Sequence, residues 1–133
     1  MSLPLALPIS SLVVLPMGLL MLVLAGRVAV LRRQHKIGVG ERGNKQLAKA
    51  IGAHGNAVDN IPLALLLFML AELQGANAVL LSICGAVFVV ARCMNAFGVN
   101  RHVGLSFSRF YGIILTWLIL LILLLINLWL NLA

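Results

Sequence analysis

Four long apolar segments constrain the fold of this chain more than any other feature. We place them at residues 9–31, 47–73, 77–97 and 109–132. A helix needs about 20 mainly apolar residues to cross a bilayer, and each segment has that length. The connections between them are short, which favours antiparallel neighbours. The sequence therefore predicts an all-α fold, an integral membrane four-helix bundle in which residues 1–133 form one domain.

Composition and charge exclude several other classes of protein. Hydrophobic residues make up 62% of the chain and charged residues 10%, which is typical of a membrane protein and not of a soluble core. Positive charges follow the first apolar segment instead of preceding it, so we expect a retained helix and not a signal peptide. The net charge of +7 does not indicate nucleic-acid binding, because the basic residues are not interleaved with stacking aromatic residues.

Cysteines and histidines do not predict a metal or redox site. Cys84 and Cys93 are nine residues apart in one apolar run, so on a helix they point about 180° apart and cannot form a disulfide with each other. We expect both to be buried. His35, His54 and His102 are too scattered for a zinc motif.

The positive charges between the segments predict the topology. Loops 32–46 and 98–108 are basic, whereas the turn at residues 74–77 carries no charge. Basic loops are enriched on the cytoplasmic side of membrane proteins. We therefore expect both basic loops to be cytoplasmic and both termini to lie on the opposite side.

This topology brings polar residues from three helices to one depth of the membrane. They are Asn56 and Asp59 in the second segment, Arg92 and Asn95 in the third, and Arg109 and Tyr111 in the fourth. Ionisable residues are costly at this depth, so Asp59 marks a candidate site. In one interpretation Asp59 pairs with Arg92 or Arg109 and only holds the bundle together. In the other, the excess of Arg27, Arg92 and Arg109 over one carboxylate predicts an anionic ligand that also carries a cationic group for Asp59.

The second segment resembles a known family signature. Residues 53–62 are Ala-His-Gly-Asn-Ala-Val-Asp-Asn-Ile-Pro, and an apolar run and Glu-Leu-Gln-Gly at 72–75 follow. This is similar to the helix-two motif of the MAPEG family (membrane-associated proteins in eicosanoid and glutathione metabolism). The region around Arg92 and the sequence Arg-Phe-Tyr-Gly at 109–112 are similar to later motifs of that family.

The resemblance implies a homotrimer with glutathione as cosubstrate, bound between neighbouring protomers. By position, Asn56 and Asp59 would hold the polar ends of glutathione, with Asp59 on its ammonium group. Arg92 would either contact glutathione or support the residues that do. Arg109 matches the catalytic arginine that stabilises the glutathione thiolate. His54 points about 160° away from Asn56, so it either reaches the ligand of the next subunit or is structural.

Three further positions complete the predicted site. Arg27 (or Arg32 in its place) would supply the basic contact of the first helix. Asn95 stands where His or Tyr is common in the family, and Tyr111 is either an interface anchor or a hydrogen donor to the leaving group. Gly52 and Gly55 stand where eicosanoid-processing members have arginines, which favours a bacterial-type member.

The resulting functional hypothesis is a glutathione-dependent membrane transferase or peroxidase. Its second substrates would be lipophilic electrophiles or lipid hydroperoxides that arrive from the bilayer. One alternative is a non-catalytic lipid-binding or scaffold protein of the same family. Another is a small four-helix transporter, but such antiporters need an acid within the first helix, and residues 9–31 contain none.

Overall fold

The computed structural model describes residues 6–101 and 106–133 and contains four helices in these two ranges. They are α1 (Pro8–His35), α2 (Lys45–Leu73), α3 (Ala78–Arg101) and α4 (Phe107–Leu132). Each helix is long and apolar enough to cross a membrane. The predicted all-α, four-span architecture is confirmed.

Helix α2, like α3, contacts each of the other three helices. One of its faces consists of the fully buried alanines Ala53, Ala57, Ala64 and Ala71. Their spacing of four or seven residues keeps them in one stripe along the helix. Small side chains at such positions let membrane helices approach closely. The alanine stripe therefore explains how α2 packs against several neighbours at once.

Helix α1 continues to His35, beyond the end predicted at residue 31, so the start of the predicted basic loop is helical. The helix ends where Lys36 adopts a left-handed conformation with φ of 53°. The Ile37 N–H then donates to the Arg32 carbonyl over 3.0 Å, which closes the last turn. The glycines that break regular structure begin only at Gly38, and the basic residues Arg32, Arg33 and His35 remain helical.

The first turn of α1 is capped by a side chain from the far end of α2. Glu72 accepts hydrogen bonds from the backbone N–H groups of Ile9 (2.9 Å to Oε1) and Ser10 (2.8 Å to Oε2). Leu7 provides no side-chain cap, and the first turn contains no acidic residue. The first N–H groups of a helix need external acceptors, and a carboxylate also complements the positive end of the helix dipole. Glu72 therefore ties the start of α1 to the end of α2.

Removal of this cap is expected to destabilise the fold measurably. Glu72→Gln leaves one neutral acceptor in place of two charged oxygens, so we expect the free energy of unfolding to fall by about 1–2 kcal/mol. Unfolding by denaturant in mixed micelles measures the change. Glu41→Gln is the matched control, because Glu41 is exposed and lies in the loop between α1 and α2. Equal stability of the two variants would contradict the capping role.

Two polar or sulfur-containing side chains of the apolar segments differ from their surroundings in exposure or bonding, and one prediction is wrong. Cys84 is buried as expected, but Cys93 is exposed. Asn127 of α4 is 8% exposed and lies inside the bundle. Its amide accepts a bond from Gln74 Nε2 (3.0 Å) and donates to the Leu67 carbonyl (3.1 Å). A buried amide needs such partners, so Asn127 joins α4 to α2.

Candidate functional site

A buried arginine connects three helices at the level predicted for the polar layer. Arg92 of α3 is fully buried, and its Nη2 donates to Asn56 Oδ1 of α2 over 2.7 Å. Nη2 also lies 3.4 Å from Asn95 Oδ1, and Nη1 donates to Thr116 Oγ1 of α4 over 3.3 Å. Nε has no hydrogen-bond partner. The guanidinium is thus held by neutral oxygens, and none of these contacts compensates its charge.

The start of α4 is fixed to the end of α3 through backbone groups of Arg109. Ser106 caps α4 by accepting from the Arg109 N–H (3.2 Å), and Asn95 Nδ2 donates to the Arg109 carbonyl (3.1 Å). Ser108 Oγ also donates to the carbonyl of Met94 (2.6 Å). These bonds use only the main chain of Arg109. Within residues 6–101 and 106–133, no hydrogen bond uses its guanidinium, and Asn95 connects its backbone to Arg92.

Two glycines allow α3 and α4 to approach closely beside this cluster. A Cβ atom at Gly98 would lie 2.5 Å from the Arg109 nitrogen, and a Cβ at Gly112 would lie 2.7 Å from the Asn95 nitrogen and 2.8 Å from the Ala91 carbonyl oxygen. Real side chains do not fit at such distances, and both obstacles are backbone atoms. The absence of a side chain at both positions therefore determines the distance between the two helices.

Gly112→Ala is expected to force α4 away from α3. Overpacking of this kind costs about 1–3 kcal/mol, and here it would also displace Asn95 and Arg109. The free energy of unfolding should therefore decrease. Gly26→Ala is the control, since Gly26 is exposed within α1 and an added Cβ would meet no atom within 4 Å. If Gly112→Ala leaves the free energy of unfolding as unchanged as Gly26→Ala does, the close helix approach is not required.

Asp59 lies outside the buried cluster. It is exposed on the surface of the single chain, whereas the sequence led us to expect it in the interior. The interpretation in which Asp59 pairs with Arg92 is wrong, because Arg92 is bonded to Asn56, Asn95 and Thr116 instead. Helical periodicity places Asn56 and Asp59 near one face of α2, but it does not determine which residues that face meets.

The structure brings together only part of the predicted site. Asn56, Arg92, Asn95 and the backbone of Arg109 form one hydrogen-bonded network. In the described ranges, no hydrogen bond joins this network to four other predicted residues, namely Arg27, His54, Asp59 and Tyr111. Tyr111 is 45% exposed and packs against the ring of Phe107, with centroids 4.3 Å apart.

Sequence reasoning missed Thr116, the partner of Arg92 on α4. Thr116 is fully buried, and its hydroxyl donates to the Gly112 carbonyl over 2.8 Å while it accepts from Arg92. The sequence does offer one indication: Thr116 interrupts the apolar run that follows Gly112, and it lies seven residues after Arg109 and hence on the same face of the helix.

The fold and this cluster define a class of protein, a multi-pass membrane bundle with a polar layer shared by α2, α3 and α4. The sequence model of the MAPEG family matches residues 10–129 of this chain. The chain is also 36% identical over 121 residues to the inner membrane protein YecN of Escherichia coli strain K12, and equally to YecN of strain CFT073, covering 91% of each chain. The chain therefore belongs to the MAPEG family and is an integral multi-pass membrane protein, as the helix-two motif indicated.

Proposed function

We propose that this protein is a glutathione-dependent membrane transferase or peroxidase that acts on lipophilic electrophiles or lipid hydroperoxides. Family membership supports the general class. The observation that carries the proposal is the contact of 2.7 Å between Arg92 and Asn56. It fixes the Asn56 amide with Oδ1 towards Arg92, so that Nδ2 is left to donate to a carboxylate or carbonyl of a bound peptide.

In this proposal the buried residues position groups that lie nearer to the ligand. Arg92 is inaccessible from outside the chain, so it orients Asn56 and does not contact glutathione itself. Asn95 has the same supporting role, because it is 1% exposed and its amide is bonded to Arg92 and Arg109. Asn56 and Asp59 would bind the polar ends of glutathione, with Asp59 opposite its ammonium group.

The exposure of Asp59 supports a homotrimer in which glutathione lies between protomers. Asp59 is the midpoint of α2, the helix Lys45–Leu73. A carboxylate at that depth is strongly disfavoured against hydrocarbon. A neighbouring protomer with a bound ligand would cover it and supply a cation. His54 and Arg27, both half-buried, are candidates for contacts to that shared ligand.

The proposed chemistry depends on the side chain of Arg109. A thiol becomes a strong nucleophile only as the thiolate, and a guanidinium in a poorly hydrated site stabilises that anion. The thiolate sulfur would then attack either an electrophilic carbon, displacing its leaving group, or the terminal oxygen of a hydroperoxide. In the second case the O–O bond breaks, the alkoxide takes a proton and leaves as the alcohol, and the glutathione sulfenic acid reacts with a second glutathione to give glutathione disulfide and water. Tyr111 would either donate a hydrogen bond to the leaving group or anchor α4 at the interface. We place loops 32–46 and 98–108, and with them the glutathione entrance, on the cytoplasmic side.

Glutathione binding and thiolate formation by the purified protein test this function. We expect saturable binding by calorimetry and a thiolate absorbance in stopped-flow mixing. S-methylglutathione, which has no thiol, should bind without the absorbance change. Absence of glutathione binding would contradict the proposal. Binding without thiolate would favour a non-catalytic member of the family.

A further inference from the structure

We propose that the connection between α1 and α2 is an ordered binding surface for anionic phospholipid headgroups. This surface comprises residues 33–45 and is independent of the proposed glutathione site. Four of its side chains are exposed cations, and the only acid among them is Glu41. The cations are Arg33, Lys36, Arg42 and Lys45. Each lies within three residues of the end of α1 or the start of α2, two helices that are long and apolar enough to cross a membrane. The ends of such helices lie at the depth of the phosphate headgroups.

A small hydrophobic cluster holds this connection in one shape. Ile37 is 9% exposed and packs with Leu31, Leu47 and Ala50, all of which are 6% exposed or less. These residues come from the end of α1 and the start of α2. The centre of the connection is therefore attached to both helices and does not behave as a free linker.

Arg32 is used within the connection and is not part of the binding surface. Its Nη1 donates to the carbonyl of Gly40 over 2.8 Å and approaches the carbonyl of Ile37 at 3.4 Å. One arginine thus satisfies backbone acceptors of the turn. The remaining cations are exposed on a backbone whose conformation these contacts fix.

The second half of the connection is a defined turn. Arg42 has a left-handed φ of 48° and is followed by Gly43 with φ of 75°. The Asn44 N–H donates to the Glu41 carbonyl (2.9 Å), and Asn44 Oδ1 accepts from the Leu47 N–H to cap α2. Arg42 is consequently held at an exposed turn, close in sequence to Lys45 at the start of α2.

The local charge distribution favours an anionic partner. The first turn of α2 contains no acidic residue and includes Lys45, so the positive end of its helix dipole is not compensated there. This potential adds to that of the exposed side chains. Basic clusters beside membrane helices bind anionic lipid headgroups for this reason.

An exposed apolar side chain favours lipid over a free anion. Val39 is 80% exposed and stands between Gly38 and Gly40. In bulk water the exposure of Val39 does not stabilise the protein. At the boundary of headgroups and acyl chains, Val39 would be removed from water and would lie beside the cations. A surface with cations and an apolar tip matches the chemistry of a phospholipid better than that of inorganic phosphate.

Lipid retention by the full-length protein tests this surface. Native mass spectrometry after extraction from bilayers of equal phosphatidylglycerol and phosphatidylcholine should show phosphatidylglycerol enriched several-fold. Arg33→Gln/Arg42→Gln/Lys45→Gln should bring the ratio close to one. The charge-conserving control Arg33→Lys/Arg42→Lys should retain the enrichment, and Glu41→Gln should increase it. An unchanged ratio in the triple variant and in Glu41→Gln would overturn the proposal.

Two further measurements test whether the ordered turn is required and whether the ligand is a lipid and not free phosphate. Ile37→Ala keeps every charge but loosens the scaffold, so the enrichment should fall; full enrichment would refute the role of the ordered turn. Displacement of the lipid by excess inorganic phosphate would identify a phosphate site and also overturn the proposal. The triple variant should bind glutathione like the parent protein, so failure of this inference is distinguishable from failure of the proposed enzyme function.

Discussion

Replacement of Arg109 with alanine is expected to reduce glutathione turnover by about 10²–10³-fold, the usual effect of removing one electrostatic contact to a developing anion. The reason is loss of the guanidinium that would stabilise the thiolate. The helix itself should remain intact, because only the backbone of Arg109 is bonded to Ser106 and Asn95. Stopped-flow thiolate absorbance and steady-state turnover with a lipophilic electrophile measure the effect.

Arg109→Lys separates charge from geometry. A lysine keeps the positive charge but lacks the planar fork of a guanidinium, so partial thiolate formation is expected. Arg33→Ala is the matched control, since it removes an exposed arginine near the end of α1. Unchanged turnover in Arg109→Ala, with normal binding of S-methylglutathione, would exclude the proposed mechanism.

Replacement of Arg92 is expected to have the largest effect on stability. Arg92→Ala leaves a cavity and removes the donors to Asn56 and Thr116, which should lower the free energy of unfolding by about 3–5 kcal/mol. Glutathione affinity should fall as well, because Asn56 loses the contact that orients it. Denaturant unfolding in mixed micelles and calorimetry report these two quantities separately.

A second substitution distinguishes positioning from packing. Arg92→Met fills much of the same volume without charge, and an apolar replacement for a buried charge is often tolerated. We expect stability to recover in part, while glutathione affinity stays low. Thr116→Val provides a milder control that removes one acceptor of Arg92 on α4. Parent-like glutathione affinity in Arg92→Met would show that Arg92 does not position Asn56.

The sequence predicts those parts of the molecule that depend on local pattern. Helix number follows from the length of the apolar segments, and the convergence of polar residues from α2, α3 and α4 follows from their common depth in the membrane. Both predictions needed only periodicity and antiparallel connection. The left-handed residue that ends α1 is harder to predict, because Lys36 is not a glycine and its conformation depends on the packing of Ile37.

Contacts between distant segments could not be predicted in the same way. Glu72 reaches N–H groups more than 60 residues earlier in the chain, and nothing near either position indicates the other. The exposure of Asp59 likewise depends on which helices cover α2. The neighbouring helices pack against the alanine stripe, which lies on the side of α2 away from Asp59. Composition alone does not reveal which face of α2 they cover.

Glu72 and the ordered turn after His35 lie at opposite ends of the pair formed by α1 and α2. Because α1 and α2 are connected at both ends, neither end of the pair can separate without loss of these contacts. The two helices are therefore expected to move as one rigid body. We therefore expect α1 and α2 to move together when a bulky lipophilic molecule enters the bundle. Glu72→Gln should accelerate amide hydrogen exchange at Ile9 and Ser10, and exchange at the amides around Ile37 should not change.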